Sequence, residues 1–168
     1  DGWEMKATGI GGACGDSGWT DGSIKLAWPR ESASCPDRIV TAKRVAALFK
    51  PSSVVLVGAS ETPGSLGDIV RRNLLDGGFA GPVHFVNQRG EQIDGRPVHR
   101  SVLDLPVAPD LAVILTPAAT VPEIVGDCGR KGVRAAVVVS AGFREGGVPG
   151  AGYERQLRLQ ARKHGLRF

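Results

Sequence analysis

At 168 residues the chain has room for one domain of ordinary size with a sizeable core, and not for a second full domain. Its 42% hydrophobic and 23% charged residues are the balance of a soluble globular protein, and no stretch reaches the roughly 20 consecutive apolar residues of a membrane span. The formal net charge of +4 is spread along the chain without a Lys/Arg block, which argues against a nucleic-acid or membrane partner and suits a small anionic ligand.

Residues 1–40 are rich in glycine, hold Trp3, Trp19 and Trp28, and show neither helical nor strand periodicity; they read as a poorly ordered extension. Cys14, Cys35 and Cys128 form no CxxC pair and have no histidine at metal-ligand spacing, so no metal site is expected. Their odd number, without an apolar signal segment, points to a reducing, cytoplasmic setting.

Regular patterning begins near Thr41. Ala42 to Phe49 reads as a short helix with Val45, Leu48 and Phe49 on one side, stopped by Pro51. Ser53 to Val57 is a β-branched run suited to a strand buried on both faces. A helix follows with Leu66, Ile69, Val70 and Leu74 as its apolar stripe, closed by Gly77 and Gly78. Three more strands are expected at Val83 to Val86, Leu111 to Leu115 and Ala135 to Val139. Between the last two, Thr120 and Glu123 have capping-box spacing ahead of the stripe Val121, Ile124, Val125 and Cys128, and Gly132 ends that helix. A last helix from Ala151 to His164 points Tyr153, Leu157 and Ala161 inward and Arg155, Arg158 and Arg162 outward. Leu166 to Phe168 begins a further strand that the chain does not finish, so residues 41–168 are expected to form one domain truncated at its C-terminus.

This alternation implies an α/β fold, a doubly wound parallel sheet of Rossmann type, with ligands at the carboxyl ends of its strands. Four loops then matter. After the first strand, Gly58, Ala59, Ser60, Pro63, Gly64 and Ser65 form a glycine loop opening a helix, where backbone amides and the helix dipole suit a phosphate. Its spacing is neither GxGxxG nor a Walker loop. After the second strand, Asn87-Gln88-Arg89 places arginine where an NAD site would carry an acid, which favours a ligand with an extra phosphate on its ribose; CoA and NADP both qualify. Thr116-Pro117 and Ser140-Ala141-Gly142 follow the other two strands and leave space for an extended ligand. His84, His99 and His164 have no Ser, Cys or Asp partner at a telling spacing, so no catalytic residue is assigned.

Taken in order, PSSVVLVGASETPGSLG, GGFAGPVHFVNQRGEQIDGRPVHRSVLDLP and DLAVILTPAATVPEIVGDCGRKGVRAAVVVSAGF, with the closing helix, resemble the N-terminal CoA-binding domain of ADP-forming acyl-CoA (acetyl-CoA) synthetases, relatives of the succinyl-CoA synthetase alpha subunit. The resemblance runs from about Leu48 to Phe168. It implies that Gly58, Ala59, Ser60, Pro63, Gly64 and Ser65 line the phosphate and adenosine region, that Asn87 and Arg89 meet the nucleotide end, and that Thr116, Pro117, Ser140, Ala141 and Gly142 border the pantetheine path. The family commonly has Pro and Lys where this chain has Gln88 and Arg89; arginine keeps the charge but presents a planar fork. The family's reaction joins an acid to CoA as ATP becomes ADP, through an acyl phosphate and a phosphorylated histidine on a later domain, with an ATP-grasp domain beyond. The resemblance therefore implies CoA as ligand, ATP and Mg only through domains outside this chain, the remaining synthetase domains or subunit as partners, and no turnover by the chain alone. Three other readings stay open: the same module fused to a protein acetyltransferase, an NADP-binding oxidoreductase domain, and a nucleotide-sensing regulatory domain.

Overall fold

The computed structural model describes residues 44–89 and 91–168; the extension expected over residues 1–40 lies outside them. Ten elements follow in chain order: α1 (44–49), β1 (Val54–Val57), α2 (Leu66–Asp76), β2 (Val83–Val86), β3 (Gln92–Ile93), β4 (Arg96–His99), β5 (Leu111–Ile114), α3 (Val121–Lys131), β6 (Ala135–Val138) and α4 (Gly147–His164). Short 3-10 turns at Val102–Asp104 and Arg144–Gly146 join them. Among the described residues, no helix is long and apolar enough to cross a membrane.

The strands form one sheet in the order β3-β4-β2-β1-β5-β6. Among the described residues, β1, β2, β4, β5 and β6 run parallel, and only β3 is antiparallel, to β4. In the centre, Val54 lies opposite both Val83 and Leu111, so neighbouring strands start and stop level. β1 is buried at all four residues, as a continuous apolar run between two helical layers must be. Each such side chain contributes about 1.5–3 kcal/mol through removal from water.

Because strand side chains alternate, each face of the sheet carries its own core. On one face Val55, Val57, Ala112, Ile114 and Ala136 pack with Val121, Val125 and Cys128 of α3 and Leu157 and Ala161 of α4. On the other, Leu56 and Phe85 pack against Val70 and Leu74 of α2, and Ala47 of α1 joins Val54, Leu111 and Ala135. After α4, Leu166 is buried and Arg167 bridges parallel to Ala135, so the chain leaves along the outer side of β6.

Several local expectations change. In α1 it is Ala47 that faces the core, while Phe49 is 80% exposed and Val45 also points outward. In α2 Leu66 and Ile69 are exposed, and the buried residues of its first two turns are Gly67, Asp68 and Arg71. That end of α2 sits over the loop after β1 and not over the sheet, so polar groups with loop partners replace the apolar stripe. Thr120 stands at the N-cap of α3 but makes no side-chain cap: its backbone is already helical and its hydroxyl donates to the Pro117 carbonyl at 2.9 Å. A capping box occurs instead at Ser101 and Asp104, ahead of the first 3-10 turn. α4 starts earlier than expected, at Gly147, with Pro149 in the turn where no amide hydrogen is needed. The β3-β4 hairpin was not expected; it turns at Asp94-Gly95, both with positive φ (50° and 68°).

Cys128 is a buried free thiol, and desolvation, followed by the charge of Asp127, pushes its pKa up to about 12. At pH 8 its alkylation by iodoacetamide should be at least about a hundredfold slower in the native protein than in denaturant. Mass mapping of the Cys128 peptide over time reads this directly, and equal rates in the two states would contradict the packing.

Candidate functional site

The chain runs outward from β1 through β2 to β4 and then returns to the other side of β1 for β5 and β6. Strand order therefore reverses beside β1, and the loops leaving β1 and β5 diverge there, which opens a crevice beyond the carboxyl ends. A cavity of about 380 Å³ occupies this position, bounded by Val57-Gly58, Val86 to Arg89, Arg100 to Val102, Thr116-Pro117 and the first two turns of α3. A second, of about 450 Å³, lies beside it, between Ala59 to Thr62 and the β3-β4 hairpin at Gln92-Ile93. Asn87 and Arg89 line both.

The loop after β1 is shaped by two close approaches. Gly58 has φ +95°, a conformation that L side chains rarely adopt. Gly67, in the first turn of α2, lies so near the Gly58 carbonyl that a Cβ would overlap it, and that Cβ would also stand 3.0 Å from the Ser60 nitrogen. Ser65 caps α2, its hydroxyl accepting from the Asp68 amide at 3.2 Å. Asp68 reaches back in turn and accepts from the Gly64 amide at 3.1 Å. Gly64, expected to present its amide to a phosphate, thus donates it internally, and the unbonded donors of the first helical turn are the amides of Leu66 and Gly67.

Behind the loop stands a polar cluster. The buried Arg71 guanidinium bonds the Ser60 carbonyl at 3.3 Å, Asp68 at 2.7 Å and Asp94 at the hairpin turn. Arg72 adds a second contact to Asp68 at 2.8 Å, and the Asp94 amide donates to Glu61 at 2.9 Å. Hydrogen bonding to Arg71 is the main reason that the Asp68 carboxyl sits below its ordinary value. These bonds tie the β1 loop to the hairpin across the second cavity.

Asn87 links three loops. Its amide donates to the His99 carbonyl (3.0 Å), its Nδ2 to the Ala59 carbonyl (2.6 Å), and its Oδ1 accepts from the Arg89 amide (2.9 Å). Arg89 is exposed and in no ion pair among the described residues. On the far side, the Ser140 hydroxyl donates to the Thr116 carbonyl at 2.6 Å, which holds the loops after β5 and β6 together. The Gly142 amide donates to Glu145 at 2.7 Å. Backbone amides, its own first and then those of Gly142 and Phe143, lower the Glu145 pKa.

Of the residues expected at the site, Gly58, Asn87, Arg89, Thr116 and Pro117 meet around the first crevice, and Ala59 and Ser60 join Asn87 and Arg89 around the second. Pro63, Gly64, Ser65, Ser140, Ala141 and Gly142 line neither of these two; Ser65 and Ser140 act on the loops that do. None of the three histidines lines either crevice. His84 lies on β2 with its Nε2 buried and unpartnered, and desolvation, then the charge of His99, lowers its pKa. The sequence reading missed Arg71 and Asp94 behind the loop and Arg100 on the crevice rim. The Asp-Gly pair at 94–95 is a hairpin signal that would have located the second wall.

Residues 52–168 match the family described as CoA binding domain. The chain is 43% identical over 126 residues to the alpha subunit of acetate–CoA ligase [ADP-forming] I of Pyrococcus furiosus, a match covering 73% of this chain and 27% of that protein. It is 43% identical over 121 residues to acetate–CoA ligase [ADP-forming] II of Archaeoglobus fulgidus, covering 72% and 18% respectively. Among solved structures it is similar to dinucleotide forming acetyl-coenzyme A synthetase 1 of Ca. Korarchaeum cryptofilum, with 37% identity, a TM-score of 0.67, and coverage of 73% of this chain and 26% of that one. The chain thus spans about a quarter or less of the length of these relatives.

Proposed function

The chain belongs to the CoA binding domain family and is homologous to parts of ADP-forming acetate–CoA ligases, and from that premise we propose that it is the coenzyme-holding part of an ADP-forming acyl-CoA ligase. The supporting observation is the crevice at the strand-order reversal, with an arginine at the end of β2, in no ion pair among the described residues, where a dinucleotide site would place an acid. The adenosine end of CoA lies between Arg89, the turn after β4 and α3, with its ribose phosphate toward Arg89. The pyrophosphate crosses the β1 loop near Ser60 and the amides that open α2, where the helix dipole favours negative charge. The pantetheine arm then passes Thr116, Pro117 and Ser140 toward Ala141 and Gly142.

On this reading the protein binds and orients CoA, and the atoms that activate the acid lie in other parts of the ligase. ATP and Mg act there, on the remaining synthetase domains or subunit that are this chain's partners. The relatives compared above are named as CoA ligases or synthetases, which favours this reading over an oxidoreductase.

Calorimetric titration separates the coenzymes. CoA should bind at least about tenfold more tightly than NADPH, and Arg89→Gln should weaken CoA by about 10- to 100-fold through loss of one charge-assisted contact. Preference for NADPH, or CoA binding indifferent to Arg89, would overturn the assignment.

A further inference from the structure

We infer that Arg100 is a second phosphate-binding arginine, which together with Arg89 makes the crevice selective for a nucleotide carrying a terminal monophosphate on its ribose. This rests on the CoA reading above and adds to it a specificity-determining residue. Arg100 directly follows β4, is exposed, and lines the same crevice as Arg89. Among the described residues, Arg44, Arg89, Arg96, Arg100, Arg155, Arg162 and Arg167 sit in no ion pair, and of these Arg89 and Arg100 are the two that line the crevice. Two carboxylates share the crevice wall, and neither pairs with Arg100: Asp127 is held by Arg130 and by the Ser101 hydroxyl, and Glu123 stands on α3.

Hydrogen bonds of Asn87 link the backbone segments that carry the two arginines. Asn87 donates to the His99 carbonyl, immediately before Arg100, and accepts from the Arg89 amide. On the other side, Ser101 is locked by its capping box with Asp104. The two side chains follow different strands, β2 and β4, and line one cavity. A pyrophosphate bridge carries about one charge on each phosphorus and is served by backbone amides, but a terminal monophosphate carries nearly two and offers three oxygens. Two guanidinium forks match that charge and geometry better than one.

The test compares CoA with 3′-dephospho-CoA on the whole chain, by calorimetry, for the wild type, Arg100→Gln, Arg89→Gln and the double variant. Arg100→Gln should weaken CoA by about tenfold or more while changing dephospho-CoA by less than about twofold. The double variant should no longer distinguish the two ligands, and Arg100→Lys should recover part of the loss. An unchanged CoA affinity in Arg100→Gln, or an equal loss for both ligands, overturns the inference while leaving the CoA reading standing. Failure of the wild type to bind CoA overturns that reading, and this inference with it. Arg100 is exposed, so an unchanged melting temperature checks that the variant folds.

Discussion

Replacing Gly67 by valine should reduce CoA affinity by at least about a hundredfold and destabilise the fold by about 1–3 kcal/mol or more, the usual cost of forcing atoms into a filled site. The reason is the contact between α2 and the end of β1. A Cβ on Gly67 would overlap the Gly58 carbonyl and press on the Ser60 nitrogen. Gly58 belongs to a strand end tied to both neighbours, through its own amide to Val86 and through the Leu115 amide to Val57, so it cannot retreat. The helix must move instead, and the amides of Leu66 and Gly67 move with it. Gly152 is the control: it lies in α4, and a Cβ there meets nothing within 4 Å. Gly152→Ala should leave binding unchanged and raise stability by about 0.4–1 kcal/mol, since alanine restricts the unfolded chain. Thermal melts and CoA titrations of both variants read the contrast, and a Gly67→Val protein that binds CoA like the wild type would refute the geometry.

The second large effect is expected from Arg71→Met, which keeps the bulk and removes the charge. Arg71 joins the Ser60 carbonyl, Asp68 and Asp94, so its loss frees the β1 loop from the hairpin and leaves two carboxylates short of a partner. A melting temperature lower by about 4–10 °C follows from the unsatisfied groups in a chain of this size. CoA affinity should fall about tenfold as the loop loses its support. The effect has a pH signature that simple loss of packing does not. Asp68 is held below its ordinary carboxyl value chiefly by Arg71. A carboxyl with a depressed folded-state pKa contributes stability that is fully present above its unfolded value of about 3.9 and is lost as pH falls through the folded value. Arg71→Met raises that folded value, so the melting gap between wild type and variant should be widest near neutrality and narrow as pH is lowered below about 4. A gap that stays constant from pH 7 to pH 3 would show that Arg71 acts only by filling space.

Much of the framework was legible because its signals are local. The runs Val54–Val57, Val83–Val86, Leu111–Ile114 and Ala135–Val138 are short, apolar and β-branched or small, and each strand was placed to within a residue. Of the stripe Val121, Ile124, Val125 and Cys128, Ile124 is half-buried against the core and the other three are buried in it. The opening of α2 was misread, because a stripe of Leu66 and Ile69 presumes a sheet beneath the helix, and what lies beneath it is a polar loop. The β3-β4 hairpin escaped notice because two short strands, one containing Pro97, carry little periodicity, although the Asp94-Gly95 turn was there to be read.

From the amino acids alone followed the alternation of elements, the parallel sheet, the loops at the carboxyl ends of its strands and the arginine at the end of β2, since each depends on residues close together in the chain. Tertiary structure decided which loops share a cavity, that Asp68 takes the Gly64 amide, that Arg71 supports Ser60 from behind, and that Arg100 faces the same space as Arg89. Those outcomes depend on strand order, and strand order is set by the pairing of segments far apart in sequence, which hydrophobic periodicity does not encode.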